Sequence, residues 1–404
     1  MAKGAVSARE RKTSDMADTS GPITGLVLTG GGARAAYQVG ALRALSELLR
    51  EQSPFQILAG ASAGALNSTC LAIYGDDFRK GVAHLSETWR SLTPDKVYRT
   101  DFGSLLAIGA SWVGQLSAGG VLRSNRANAL LDTRPLRRLL DRVLPTDEIR
   151  RHVASGALRG AAVTATSYHT GTAMTFFEGA PEIQPWLRSS RLGLRESLSV
   201  AHVMASAAIP MFFPPVEIDG GWFGDGCVRL SAPISPAIHL GAQRIVAIGI
   251  RYARTPEETN ALNHTGPRNN PSVSEISGVM LNAIFLDSLD ADVERMERIN
   301  ATLSLLTLDQ HARLKHPLRR IPLLVLRPSR DLGSLAVEQY KLFPKTLRHL
   351  LRGIGAAGES GWDLVSYLAF EGAYIERLIE LGYEDTLARQ SDVEAFFSAP
   401  LDAF

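Results

Sequence analysis

Short apolar runs that stop at glycines alternate with amphipathic stretches over the first part of the chain. Residues 23–29 (ITGLVLT) end at Gly30, Gly31 and Gly32, and residues 33–49 then place Val39, Leu42, Leu45, Leu48 and Leu49 on one face of a helix. A second apolar run, residues 55–59 (FQILA), ends at Gly60-Ala61-Ser62-Ala63-Gly64, and residues 65–74 continue as an apolar, buried helix. Strand, helix, strand, helix within about 50 residues is the pattern of parallel βαβ units. A right-handed crossover puts both strand ends on one edge of one sheet, so the two glycine-rich loops are expected to be neighbours.

Further along, the pattern predicts an arginine-rich helical stretch over residues 122–151 and a β-hairpin from residues 161–165 and 173–177 about Thr170-Gly171. A helix is expected over residues 194–208, closed by Ile209-Pro210, then a short strand at residues 221–223 and a core strand at residues 244–250. Residues 252–274, polar and rich in Pro and Asn, read as a linker or long loop. Beyond them, an apolar stripe from Ile276 through Leu286 and Val293 to Ile299 predicts one long amphipathic helix. A strand at residues 321–326 and a helix over residues 362–381 follow. The expected organisation is a disordered leader (1–22), an α/β domain (23–250), a linker or loop (251–274) and a mostly helical C-terminal region packed on that domain (275–404).

Composition narrows the classes. A chain of 404 residues with 45% hydrophobic and 21% charged residues can bury a large core. A formal net charge of +2 argues neither for nucleic-acid binding nor for strong whole-molecule attraction to acidic lipid, and no nucleic-acid partner is expected. The two cysteines, Cys70 and Cys227, lie far apart in no metal-ligand spacing, which suits a reducing compartment and gives no metal or cofactor to expect. The mixed-charge leader has no apolar segment after it, so a cytoplasmic location is expected over export. The uncharged residues 103–122 are long enough to span a bilayer, but five glycines and Gln115 dilute them. They read as a buried or substrate-facing segment.

The chemistry lies in the loops. In Gly60-x-Ser62-x-Gly64 a serine projects from a sharp strand-to-helix turn, and flanking glycines remove side chains that would clash there. Gly30, Gly31, Gly32, Ala33 and Arg34 open a helix with unpaired N–H groups, a site for a phosphate or for the oxyanion of an acyl intermediate. The dinucleotide fingerprint is broken by Ala35 at its last glycine position, and the G-K-S/T continuation of a P-loop is absent. A serine needs a base, and none of the nine histidines sits in a catalytic context. Asp225, between Gly224 and Gly226, stands in a bare turn able to approach another loop, whereas Asp219 reads as a hairpin turn residue.

Together these segments resemble the patatin-like phospholipases. Residues 30–35 resemble the family's G-G-G-x-R-G motif, Gly60 to Gly64 its G-x-S-x-G, and Asp225-Gly226-Cys227 its D-G-G/A. Ala205-Ser206-Ala207-Ala208-Ile209-Pro210 and Phe213-Pro214-Pro215 resemble the segment between them. The resemblance implies a three-layer α/β/α fold with a mainly parallel sheet and a lipid acyl hydrolase. By that resemblance Ser62 and Asp225 form a dyad without histidine, residues 30–34 form the oxyanion hole, and Arg34 braces the loop. Its substrate would be a phospholipid or another acyl lipid, with residues 103–122 as apolar wall or lid. Nine arginines against four acids over residues 123–159 raise peripheral membrane contact as one expectation and a solvated, ion-paired face as the other. Ala35, Cys227 and Ser231 depart from the family pattern. Rival readings are an α/β-hydrolase with a histidine triad and a non-catalytic phosphate-binding module.

Overall fold

The computed structural model describes residues 21–49, 53–99, 129–265, 270, 273–314, 318–336, 348 and 362–401. The uncharged stretch 103–122 and all but the last two residues of the expected leader lie outside them.

The described strands form one sheet: β1 (Thr24–Leu28), β2 (Ile57–Ala61), β3 (Gly160–Ser167), β4 (Ala173–Gly179), β5 (Trp186–Arg188), β6 (Arg191–Arg195), β7 (Val216–Ile218), β8 (Gly221–Asp225), β9 (Arg244–Ile248) and β10 (Leu323–Leu326). The order is β10-β9-β1-β2-β3-β4-β6-β5, and β10 through β3 run parallel. Beyond β3 the sheet becomes mixed, since β4 pairs antiparallel with β3 as the expected hairpin. β1, β2, β3 and β9 are buried along their whole length, which is why β1, β2 and β9 carry short apolar runs while the polar residues of β3 are small. Apolar cores on both faces make the fold a three-layer α/β/α sandwich.

Helices α1 (Ala36–Leu48), α2 (Ala63–Ile73), α3 (Phe78–Arg90) and α4 (Val200–Ser206) contribute to the larger core, and α5 (Ser235–Leu240) to the smaller one. The stripe expected to be one long helix forms two, α6 (Val273–Phe285) and α7 (Asp287–Ser304). The break falls where the chain rounds the sheet. Leu281 and Phe285 pack in the larger core, whereas Leu289, Val293 and Met296 pack in the smaller. The stripe over residues 362–381 likewise forms α8 (Trp362–Leu368) and α9 (Gly372–Leu387). α9 lies so close on α1 that a Cβ on Gly382 would stand 2.0 Å from the Tyr37 carbonyl oxygen.

Three other expectations differ from the structure. Residues 194 and 195 belong to β6, because pairing with β4 overrides their helical pattern, and the helix begins only after its cap at Ser199. The stretch over residues 122–151 divides, in its described part, into Arg134–Val143 and Asp147–Ser155 on either side of Pro145. The segment read as a linker contains the helix Pro256–Thr265, whose first-turn proline and two glutamates suit a helix start. No helix among the described residues is long and apolar enough to cross a membrane.

Candidate active site

β3 is longer than its neighbour β2, and a second strand continues where β2 stops. Ala61, the last residue of β2, pairs with Thr164, and Asp225, the last residue of β8, pairs with Ala165. β2 runs parallel to β3 and β8 antiparallel, so their C-terminal ends meet head-on along one side of β3. Ser62 leaves the sheet from one end and Asp225 from the other. Gly226 fits the seam: a Cβ there would stand 2.0 Å from the Thr164 carbonyl and 3.3 Å from Ala61.

The turn at Ser62 is strained and tightly held. Its φ of 55° lies in the left-handed region, with ψ −132°. A Cβ on Gly60 would stand 2.2 Å from the Gly64 carbonyl, and one on Gly64 the same distance from the Leu28 carbonyl, so the turn admits glycine at both flanks. Ser206 Oγ accepts from Ser62 N–H at 2.9 Å and donates to the Thr164 carbonyl at 2.6 Å. Asp225 N–H donates to the Ala208 carbonyl at 2.9 Å, and Thr166 Oγ1 donates to the Asp225 carbonyl at 2.7 Å. The end of α4 therefore bridges both sides of the seam.

Ser62 is 1% exposed and Asp225 fully buried. Burial pushes the Asp225 carboxyl up to about 7, while the neighbouring Ser62 hydroxyl and Cys227 oppose the rise. Cys227 N–H donates to Asp225 Oδ1 at 2.9 Å. Oδ2 has no fully formed hydrogen bond among the described residues. A carboxylate oxygen short of a donor beside a hydroxyl is a ready proton acceptor.

The glycine loop arches over this seam. A Cβ on Gly30 would stand 2.5 Å from Ser62 Cβ and 2.4 Å from Cys227 Sγ. Gly32 (φ 55°), Ala33, Arg34 and Ala35 form a single 3₁₀ turn before α1, and Arg34 N–H donates to the Gly31 carbonyl at 3.2 Å. The N–H groups of Gly32 and Ala33 lie at the open start of that turn. Gly32 and Ser62 line one cavity with Leu66, Trp89, Leu136 and Phe213, a nearly all-apolar wall. The Arg34 side chain turns the other way, into the protein. Below the loop, Trp89 Nε1 donates to Asn67 Oδ1, Asn67 to Gln38, and Gln38 Nε2 to the Thr29 carbonyl, at 2.7 to 2.9 Å. This buried chain fixes the loop's entry to α1, α2 and α3.

A family model described as "Patatin-like phospholipase" matches residues 26–238, more than half of the chain. The chain belongs to the patatin-like phospholipase family. Its fold is similar to that of VipD from Legionella pneumophila, at 14% identity and TM-score 0.34 over 92% of this chain and 67% of that one. It is also similar to human GIVD cytosolic phospholipase A2 in complex with methyl gamma-linolenyl fluorophosphonate and terbium chloride, at 14% identity and TM-score 0.41 over 95% of this chain. The chain spans 60% of that phospholipase's length. A third likeness is to the type III effector protein ExoU, at 15% identity and TM-score 0.28 over 86% of this chain and 77% of that one. No curated protein matches the chain.

Set against the family's motifs, the departures are local. Cys227, where the patatin-like pattern has glycine or alanine, is buried against Gly30, and burial followed by the Asp225 charge holds its thiol protonated. Ala35 is wholly buried at the foot of α1. Asp219 sits in the β7–β8 turn with φ 49°, followed by Gly220 at φ 80°, as a two-residue hairpin requires. Its charge acts on His202. His202 is on α4, close in sequence to Ser206, but its Nδ1 is engaged by the Ser199 cap at 2.9 Å. Burial lowers its pKa to about 4. The groups that act on Asp225 are Ser62 and Cys227; no described histidine is among them. Ser206 and Thr166, which hold the two ends of the seam, carry no isolated signal in the sequence. Ser206 lies in a recognisable motif, but its role depends on a strand end that only the folded sheet supplies.

Proposed function

We propose that the protein is a lipid acyl hydrolase that cleaves carboxylic esters through Ser62 and Asp225. The observation that carries this reading is the meeting of β2 and β8 on β3, which sets a strained serine beside a fully buried carboxylate with one oxygen short of a donor. Family membership supports the same class of substrate.

In the first step Asp225 takes the hydroxyl proton as Ser62 Oγ attacks the ester carbonyl carbon. The negative charge moves to the carbonyl oxygen, facing the N–H groups at the start of the 3₁₀ turn. The carbon–oxygen bond to the alcohol breaks, and that oxygen takes the proton back from Asp225, leaving acyl-Ser62 and the neutral alcohol. Water then attacks the acyl carbon, Asp225 accepts its proton, and the carboxylic acid leaves as Ser62 is reprotonated. A carboxylate of ordinary pKa, about 3.9, is a weak base for a hydroxyl. Burial brings Asp225 close to neutrality, where both its protonated and its ionised forms are accessible. The apolar lining of the small cavity beside Ser62 favours an apolar group next to the nucleophile.

The test is covalent labelling of Ser62 by a fluorophosphonate together with release of fatty acid from a panel of phospholipids, lysophospholipids and neutral esters. Labelling and turnover that both disappear in Ser62→Ala support the reading; turnover that persists without Ser62 contradicts it.

A further inference from the structure

Helices α8 and α9 lie outside the residues that match the family, yet α8 is built against the glycine loop. A Cβ on Gly32 would stand 2.2 Å from the Tyr367 carbonyl oxygen, so the loop backbone rests on the end of α8. Arg34, 2% exposed, reaches from the loop into the C-terminal region. Its Nη2 donates to Asp363 Oδ1 at 2.8 Å and to the Asp363 carbonyl at 3.3 Å. Nε donates to Ser366 Oγ at 2.7 Å, and Nη1 to Asn282 Oδ1 on α6 at 3.4 Å. The guanidinium lies 4.3 Å from the centre of the Tyr367 ring, and Tyr367 Oη donates to the same Asn282 oxygen at 2.8 Å. Ser366 Oγ donates onward to the Asp363 carbonyl at 2.6 Å, which fixes its lone pairs towards Arg34.

A buried guanidinium needs its charge and its N–H groups satisfied, and leaving either unmet is costly. Here the partners come from α6 and α8, while the backbone of the same arginine closes the 3₁₀ turn beside Ser62. Displacing Arg34 would therefore displace the N–H groups at the start of that turn. We propose that Asp363, Ser366 and Asn282 are positioning residues for catalysis, setting the glycine loop against Ser62 through Arg34. This inference rests on the reading of residues 30–34 as the oxyanion loop.

The experiment compares the full chain with Asp363→Asn, Asp363→Glu, Ser366→Ala and Ser62→Ala on a soluble short-chain p-nitrophenyl ester. Circular dichroism and thermal melting report the folded fraction of each. A slip of about 1 Å in a catalytic group can cost about 100-fold. Asp363→Asn should lose about 10- to 100-fold in kcat per folded molecule with KM within about 2-fold, since the loop acts on the transition state. Asp363→Glu should recover most of that loss, because it restores the charge facing Arg34. Ser366→Ala, which keeps the ion pair, should lose less and serves where Asp363→Asn does not fold. Wild-type kcat per folded molecule in both Asp363→Asn and Ser366→Ala overturns the inference while leaving Ser62 as nucleophile, provided Ser62→Ala is inactive. Full activity in Ser62→Ala overturns the reading of the site and this inference with it.

Discussion

Two turns face each other at the candidate site, and they are held by different parts of the molecule. The turn at Ser62 is held from within the sheet: Gly64 lies against the Leu28 carbonyl, and Ser206 ties Ser62 N–H to β3. The turn at residues 30–34 is held at its entry by Gln38 and Asn67 and along its back by α8, through Tyr367 and the ion pair of Arg34 with Asp363. One turn is held by the sheet and by the helix that packs beside it. The other depends on contacts with residues more than 300 positions away. A family match over residues 26–238 therefore contains both loops but not the α8 contacts that back one of them.

The largest effects should come from the seam itself. Ser62→Ala and Asp225→Asn should each lower ester hydrolysis by at least about 1000-fold, as removal of a nucleophile or its base does. Folding should survive, as read by circular dichroism. Next comes the inner support of the nucleophile turn. Ser206→Ala removes the acceptor of Ser62 N–H and should cost about 10-fold or more in kcat. Activity equal to wild type in that variant would show that the strained turn holds itself.

The pH dependence sharpens the comparison from the electrostatic side. Asp225 must be ionised to accept a proton, so kcat/KM should rise with pH through an apparent pKa near 7. A rise centred near 4 would mean that burial does not govern the base. The same shift bears on stability. Because the folded-state pKa is raised, the stability that Asp225 contributes is fully present below its unfolded value near 4 and is lost as pH rises through about 7. Asp225→Asn should therefore melt higher than wild type at pH 8, on the order of 5 °C, with the difference shrinking towards pH 4. Equal melting at both pH values would count against a buried, charge-penalised carboxylate.

The smallest effect concerns the basic segment. Arg134, Arg137, Arg150, Arg151 and Arg159 are each paired with a carboxylate, which favours the solvated, ion-paired face over a headgroup surface. Arg138→Glu with Arg142→Glu should leave liposome binding within about 2-fold at physiological salt, whatever the acidic-lipid content. A clear loss on acidic vesicles alone would restore the membrane-facing reading.

Much of this was legible because it is local. The two apolar runs stop at glycines, and a parallel crossover makes those glycines neighbours, so the facing of the two loops follows from the chain's own pattern. Asp225 was separable from Asp219 with the help of the motif resemblance. Its raised pKa was not readable, since burial on all sides comes from β3, α4 and the glycine loop at once. The break between α6 and α7 was hidden for a related reason. Leu286 and Leu289 share one helical stripe, but they pack on opposite faces of the sheet. The partners of Arg34 lie on α6 and α8, and no local pattern links them to the glycine loop.

The most direct test is the rate at which a fluorophosphonate labels Ser62, followed by intact-protein mass spectrometry and peptide mapping across pH 5 to 9 for wild type and Asp225→Asn. Labelling should map to Ser62, accelerate with pH through about 7 in the wild type, and fall to background in Asp225→Asn. Labelling at another residue, or Ser62 labelling in Asp225→Asn at the wild-type rate and pH profile, would contradict a serine served by Asp225.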